Sequence, residues 1–309
     1  MFNQNLLPMK KYFKITTQLL VFFLFTISST KAQSSSLLGK SSSYHSLSQI
    51  WELDSDIKSD GFLLTTYKPI YIMPFRFSSH RRDVPFNDGG TNQTEQLNQL
   101  DNVEALIQFS FKTKVFKSIL GTCDLWLGYT QKSYWQVYNA ALSRPFRETN
   151  YEPEIIFNFP AKFKFLGLQG KMLGFSLNHQ SNGREGTIYS RSWNRIIMNV
   201  GFEKENWSLV VRPWFAFADE ENPDIEDFVG RGDATFIYRL NKHLFTLHGQ
   251  HSLRTGSNNH GQIELDWAFP IKGNLRGYFQ FFHGYGDAMI DYSQRHTIAG
   301  IGIVFSESL

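Results

Sequence analysis

Leu173, Phe175, Leu177, His179 and Ser181 occupy alternate positions of one run, with Gly174, Ser176, Asn178 and Gln180 between them. Successive side chains of an extended chain point to opposite faces. The face that carries three large apolar residues therefore also carries an imidazole and a hydroxyl. The Cα atoms of His179 and Ser181 lie ~7 Å apart along such a strand, within reach of a side-chain hydrogen bond. A base beside a hydroxyl is the minimum for nucleophilic attack on an ester or amide. Its place on an apolar face points to acyl transfer on a greasy substrate.

A catalytic imidazole must be held in one tautomer, and the next alternating segment offers the holder. There Asn194, Ile196, Met198, Val200 and Phe202 share one parity, and Arg195, Asn199 and Glu203 share the other. A hairpin turning within residues 182–193 sets Asn194 beside His179 on the apolar face. An Asn amide can orient the imidazole as an Asp does, and Cys-His-Asn enzymes use it so. Taken alone, Ser181 followed by Asn182 and Gly183 reads as a turn. His179 on the same face and Asn194 across the hairpin favour chemistry.

The elements that must position these residues are strands. The 309 residues include 29 Phe, 13 Tyr and 7 Trp, yet the mean hydropathy is −0.31. Aromatic richness without long apolar helices is what a membrane β-barrel produces, because its polar lumen offsets its lipid-facing side chains. From Tyr67 onward about twelve short segments alternate or are rich in aromatic residues. They fall near 67–74, 103–111, 122–131, 154–159, 172–181, 194–203, 207–215, 233–240, 243–251, 261–269, 274–282 and 296–305. In 261–269, Ile263, Leu265, Trp267 and Phe269 take one face, and Gln262, Glu264 and Asp266 the other. Charges on the inner face of so many strands would be costly in a soluble sandwich core, but they suit a barrel lumen. Short links (Lys204-Glu205-Asn206, Asn241-Lys242) alternate with long ones (182–193, 216–232), the rhythm of periplasmic turns and outer loops. The expected fold is thus all-β: a transmembrane antiparallel β-barrel of about 12 strands with a filled polar lumen, over residues 61–309.

The preceding residues read differently. Lys10, Lys11 and Lys14 precede the apolar run Leu19–Ile27, and Thr30-Lys31-Ala32 offers a small-residue cleavage site. Residues 1–32 read as an export signal whose apolar run is too short to span a bilayer. Its removal takes away four Lys and no acid, so the formal charge changes from +3 to −1 and a nucleic-acid reading fails. Residues 33–60 are Ser-rich and read as a mobile or loosely packed mature N-terminus. The single cysteine, Cys123, excludes an intramolecular disulfide and reads as a packed small residue. Asp287 and Asp291 read as solvated loop charges, and Tyr134 and Trp135 read equally well as a stacking surface for lipid or a partner and as part of an interfacial aromatic girdle.

Several motifs resemble the outer membrane phospholipase A family: NHQSNGR (Asn178–Arg184), SRSWNR (Ser190–Arg195), YTQKSYWQ (Tyr129–Gln136), PFRETNYEP (Pro145–Pro153), ENPDI (Glu221–Ile225) and GYGDAMIDY (Gly284–Tyr292). The resemblance runs from about residue 100 to the C-terminus. It implies an outer-membrane barrel that hydrolyses phospholipid acyl esters with Ca2+ as cofactor, as a phospholipase A1/A2 that also takes lysophospholipids. It implies a homodimer as the active state and an active site toward the outer leaflet. Ser181 would be the nucleophile, His179 the base and Asn194 the orienter, with the Gly183 N–H in the oxyanion hole. Calcium would be held by backbone carbonyls of Arg184 and Ser190 and by the hydroxyl of Ser143 from a second subunit. Glu221 would belong to another calcium site. Three departures from the family pattern stand out. The stretch between Arg184 and Ser190 is one residue longer, Glu221 replaces an expected Asp, and the chain ends in Leu309 rather than Phe. The competing reading is a non-catalytic outer-membrane barrel, a pore or a structural protein. The inner-face charges Glu203, Arg212, Glu264, Asp266 and Arg276 speak against an open pore.

Overall fold

A computed structural model of the chain describes residues 46–54, 62–80, 100–119, 121–185, 189–217, 222–272 and 275–306. Thirteen strands form one sheet: β1 Leu64–Thr66, β2 Ile70–Ser78, β3 Val103–Ile119, β4 Cys123–Trp135, β5 Phe146–Phe165, β6 Leu168–Ser181, β7 Ser192–Lys204, β8 Trp207–Phe217, β9 Gly232–Leu240, β10 His243–His251, β11 Gly261–Lys272, β12 Leu275–Gly284 and β13 His296–Ser306. Among the described residues every pairing is antiparallel, and β2 to β13 close into a ring through β13–β2 and β3–β4. The short β1 pairs with β3 just beyond β2, so the two are pieces of one broken strand. The result is the expected twelve-stranded barrel, and each expected segment falls on one of its strands.

Closure follows from the alternation. No helix among the described residues is long and apolar enough to cross a membrane. A strand in hydrocarbon must satisfy its N–H and C=O groups on both edges, which only a closed barrel allows. On β6 and β7 the odd and even positions separate cleanly. Leu173, Phe175, Leu177, Ile196 and Met198 are exposed outward, while Ser176, Asn178, Arg195 and Asn199 are buried inward. Phe157 and Phe175 stack on the outer face with centroids 4.6 Å apart. Trp135 stacks on Phe146 at 5.3 Å and Phe75 on Tyr138 at 5.5 Å, both at the long-loop end. Tyr134, by contrast, is buried inside, and its hydroxyl donates to the Asp287 carbonyl.

The lumen holds packed groups at its two ends and a polar cavity between them. At the long-loop end, Arg76 pairs with Asp287 and Glu104, and Arg147 pairs with Glu104 at 2.9 Å and Asp291 at 3.2 Å. Asp287 and Asp291 are therefore buried ion-pair partners, not solvated loop charges. The 285–295 connection folds into the barrel mouth, where Met289 and Tyr292 pack with Trp193, Trp214 and the short helix α2, Ile225–Phe228. In the middle, a polar cavity of about 220 Å3 is lined by Lys132, Glu152, Arg212, Asp233, His248 and Glu264, among others.

The short-turn end is closed by residues expected to be loosely packed. Within 33–60, residues 46–54 form the helix α1, Leu47–Ile50, capped by a Ser46–Gln49 capping box and followed by Trp51. The other residues of 33–60, like 1–32, lie outside the described residues. Leu47, Trp51 and Leu53 are buried against Trp126, Ile156 and Met172. Glu203 accepts from Leu47 N at 2.7 Å and Ser48 Oγ at 3.1 Å, and Glu52 pairs with Lys114 at 2.6 Å. Lys112 lies 3.6 Å over the Trp51 ring. The lining position that faces Leu47 is Gly201, where a Cβ would come within 2.5 Å of Leu47 Cδ2. A Ser-rich composition hides this segment because its few apolar residues have no period of their own. They fit a seat that distant strands build.

Candidate active site

β6 and β7 pair so that His179 stands directly opposite Asn194, and Ser181 opposite Ser192. His179 Nδ1 lies 2.9 Å from Asn194 Oδ1. An amide oxygen only accepts, so Nδ1 carries the hydrogen and the Nε2 lone pair is left as a base. Ser181 ends β6 on the same face, paired with Tyr151 of β5 on its other side. Among the described residues no hydrogen bond joins Ser181 Oγ to the ring. In substrate-free enzymes such contacts are often long and tighten only in the substrate complex.

The surroundings suit a lipid. A depression of about 470 Å3 on the outer surface takes in Leu127, Ile155, Leu177 and Phe217 together with His179 and Asn194. The β5–β6 ladder skips from Tyr151↔Ser181 to Glu154↔Asn178, the interval that holds Pro153, which has no N–H to donate. Behind the site the strands are braced from within. Arg195 Nε donates to Asn178 Oδ1 at 3.0 Å, and Asn178 Nδ2 donates to Glu152 at 3.0 Å and Glu154 at 2.6 Å. Since Asn178 and Arg195 immediately precede His179 and follow Asn194, this network holds the two backbones in register.

The outer face also carries polar residues of the motif Tyr129–Gln136 to which the sequence reading assigned no individual role. Tyr129 Oη donates to Gln131 Oε1 at 2.9 Å, and Gln131 Nε2 donates to Ser133 Oγ at 3.1 Å. Gln131 pairs with Tyr151, which pairs with Ser181, so a polar track leads from the hydroxyl across β5 to β4. Its signal in the sequence was parity: Tyr129, Gln131 and Ser133 alternate in phase with the outward Leu127.

The loop after Ser181 is stapled by one buried side chain, also missed. Asn182 Oδ1 accepts from Arg191 N at 3.0 Å and Arg184 N at 3.3 Å, while Asn182 Nδ2 donates to Tyr189 O at 2.8 Å. The residues implied as calcium carbonyl donors, Arg184 and Ser190, thus flank the two ends of a loop closed by Asn182. Gly183 has φ +65°, a backbone conformation that favours glycine, and a Cβ there would sit 3.0 Å from Tyr151 Cε2. Among the described residues no cluster of three His, Cys, Asp or Glu side chains is arranged to hold a metal. An ion at this loop would depend on carbonyl, hydroxyl and water oxygens, a donor set that suits calcium and not a soft metal. Ser143 is exposed on the β4–β5 loop and makes no side-chain hydrogen bond with the 182–191 loop among the described residues. Glu221 lies outside the described residues.

The model of the phospholipase A1 family matches residues 47–305. The chain belongs to that family. The match begins at the lumenal helix, well before residue 100, where the motif resemblance starts. A putative phospholipase A1 of Neisseria meningitidis serogroup B is 37% identical over 275 residues, covering 85% of this chain and 71% of the relative. Phospholipase A1 of Escherichia coli K12 is 36% identical over 206 residues, covering 66% of this chain and 70% of the relative. Among solved structures, outer membrane phospholipase A from Escherichia coli superposes with a TM-score of 0.70 at 31% identity, covering 80% of this chain and 100% of that one. A Salmonella typhi outer membrane phospholipase, a dimer with bound calcium, gives 0.71 at 30% identity, covering 81% and 94%. This phospholipase is accordingly an outer-membrane β-barrel enzyme that hydrolyses phospholipids.

Proposed function

We propose that the phospholipase cleaves acyl esters with a Ser181–His179–Asn194 triad on its lipid-facing surface, toward the outer leaflet, and that calcium and a second subunit complete the site. The observation that supports this best is the 2.9 Å contact between His179 Nδ1 and Asn194 Oδ1, next to Ser181 on an apolar outer face. Half-buried His and Asn side chains on a lipid-facing surface are unfavourable unless they are used. Ser181 Oγ attacks the ester carbonyl carbon as His179 Nε2 takes its proton. The tetrahedral oxygen gains its charge beside the Gly183 N–H. His179 returns the proton to the departing lysophospholipid oxygen, leaving an acyl ester on Ser181. Water, deprotonated by the same imidazole, then releases the fatty acid and restores the hydroxyl. Throughout, Asn194 holds the Nδ1–H and stabilises the imidazolium that forms.

The carbonyls of Arg184 and Ser190 and the Ser143 hydroxyl of a second subunit would hold calcium, which when bound supplies positive charge near the developing oxyanion. With no carboxylate among these donors, affinity is expected in the weak range of extracellular sites, about 10⁻⁴–10⁻³ M. Dependence on both ion and dimer would restrain an enzyme embedded in its own substrate. Residues 1–32 act as a cleaved signal in this reading, and Glu221 contributes to a separate calcium site. The test is fatty-acid release from phosphatidylcholine micelles across a calcium series, with crosslinking of the same samples. Activity should rise with calcium together with the crosslinked dimer, and Ser143→Ala should weaken both. A monomer fully active in chelator would refute the calcium and dimer requirement.

A further inference from the structure

The loop that follows Ser181 is tied to the inside of the barrel by one buried carboxylate. Glu148, on β5, is buried at the long-loop end of the lumen. Its Oε1 accepts from Asn150 Nδ2 at 2.6 Å, and its Oε2 faces Arg184 Nε at 3.3 Å. Arg184 Nη2 in turn donates to the Arg147 carbonyl, and Arg184 N donates to Asn182 Oδ1. Arg184 is thus fastened by its side chain to β5 and by its backbone to the Asn182 staple.

β5 is itself rigid at this point. Arg147 is locked to Glu104 and Asp291, and Asn150 Oδ1 accepts from Met289 N at 3.1 Å. The chain of contacts runs from the buried ion cluster through Glu148 and Arg184 to Gly183, which adjoins Ser181 through Asn182. A desolvated ion pair between residues held by rigid neighbours fixes geometry more than it adds stability.

We propose that Glu148 is a positioning residue for Gly183 and Arg184, just after Ser181. By holding the Arg184 guanidinium against β5, it presets the Arg184 carbonyl for a cation and the Gly183 N–H for the oxyanion. The inference rests on the calcium-dependent reading of this loop. Without the carboxylate, the Arg184 side chain loses its ion-pair anchor, and the carbonyl must be ordered at the expense of cation binding.

The experiment uses the full barrel in detergent with Glu148→Gln, Arg184→Gln and the double substitution. Calcium binding is measured by calorimetry with calcium alone, and fatty-acid release is measured across the same calcium series. Each single substitution should raise the half-saturating calcium roughly tenfold in both measurements, which corresponds to about 1.4 kcal/mol. The double substitution should shift calcium no further than either single one, as for two halves of one interaction. Unchanged calcium binding in the single substitutions, additive shifts in the double, or a lower ceiling rate at unchanged calcium affinity would each overturn the proposal. If Glu148→Gln lacks the heat-dependent gel shift of a folded barrel, Arg184→Gln decides alone, because its side chain sits at the edge of the cluster. A parent enzyme that neither binds calcium nor responds to it would refute the calcium reading itself. A calcium-activated parent with unshifted variants would refute only the role of Glu148.

Discussion

Replacing Asn194 with Ala removes the acceptor opposite the His179 ring. In the resting site the lost contact is one hydrogen bond of 2.9 Å, partly open to the surface. In the proposed transition state the ring is an imidazolium, and a hydrogen bond to a charged group contributes about 1.5–3 kcal/mol. At about 1.36 kcal/mol per decade this predicts a fall in kcat/KM of roughly 10- to 150-fold. Ser181→Ala, which removes the proposed nucleophile, should cost far more. Asn194→Asp keeps an acceptor at the same place and should lose less activity than Asn194→Ala. The assay is fatty-acid release at saturating calcium for the parent and the two variants. Asn194→Ala within twofold of the parent would refute the orienting role, as would Asn194→Asp no more active than Asn194→Ala.

Two further outcomes test the barrel that carries the site. Gly201→Val should drive a side chain into Leu47, which a Cβ at that position already meets at 2.5 Å, and destabilise the barrel by about 1–3 kcal/mol through overpacking; the check is a lowered temperature for loss of the compact gel band. Phe175→Arg puts a charge on the outer face in the stack with Phe157 and should cost about 2–4 kcal/mol if that position lies near the bilayer midplane, read as a lowered unfolding midpoint in vesicles.

The fold and the grouping of His179, Ser181 and Asn194 were legible because both depend on the period of two. Once β6 and β7 are recognised as alternating segments, parity alone places His179, Ser181 and Asn194 on one face, and the length of the 182–193 connection permits the pairing of His179 with Asn194. What escaped the sequence depends on long-range closure. Asp287 and Asp291 sit in a polar, Gly-containing stretch that reads as solvated, and only the folding of this connection into the barrel mouth delivers them to Arg76 and Arg147. Leu47, Trp51 and Leu53 have no periodicity, and their burial is set by Gly201, Met172 and Trp126, far along the chain. Asn182 reads as part of a Ser-Asn-Gly turn. Its three contacts with Arg184, Tyr189 and Arg191 exist only once the loop has closed on itself.

The claim that everything else serves is that Ser181 is the nucleophile, activated by His179. A long-chain alkyl sulfonyl fluoride reacts with an activated serine to leave a stable sulfonyl ester, and peptide mass spectrometry locates it. Treated in detergent with calcium, the enzyme should carry one label, on Ser181, with activity lost in proportion. The label should be absent in Ser181→Ala and strongly slowed in His179→Ala. Loss of activity with the label on another residue, or continued phospholipid hydrolysis by Ser181→Ala, would contradict the account.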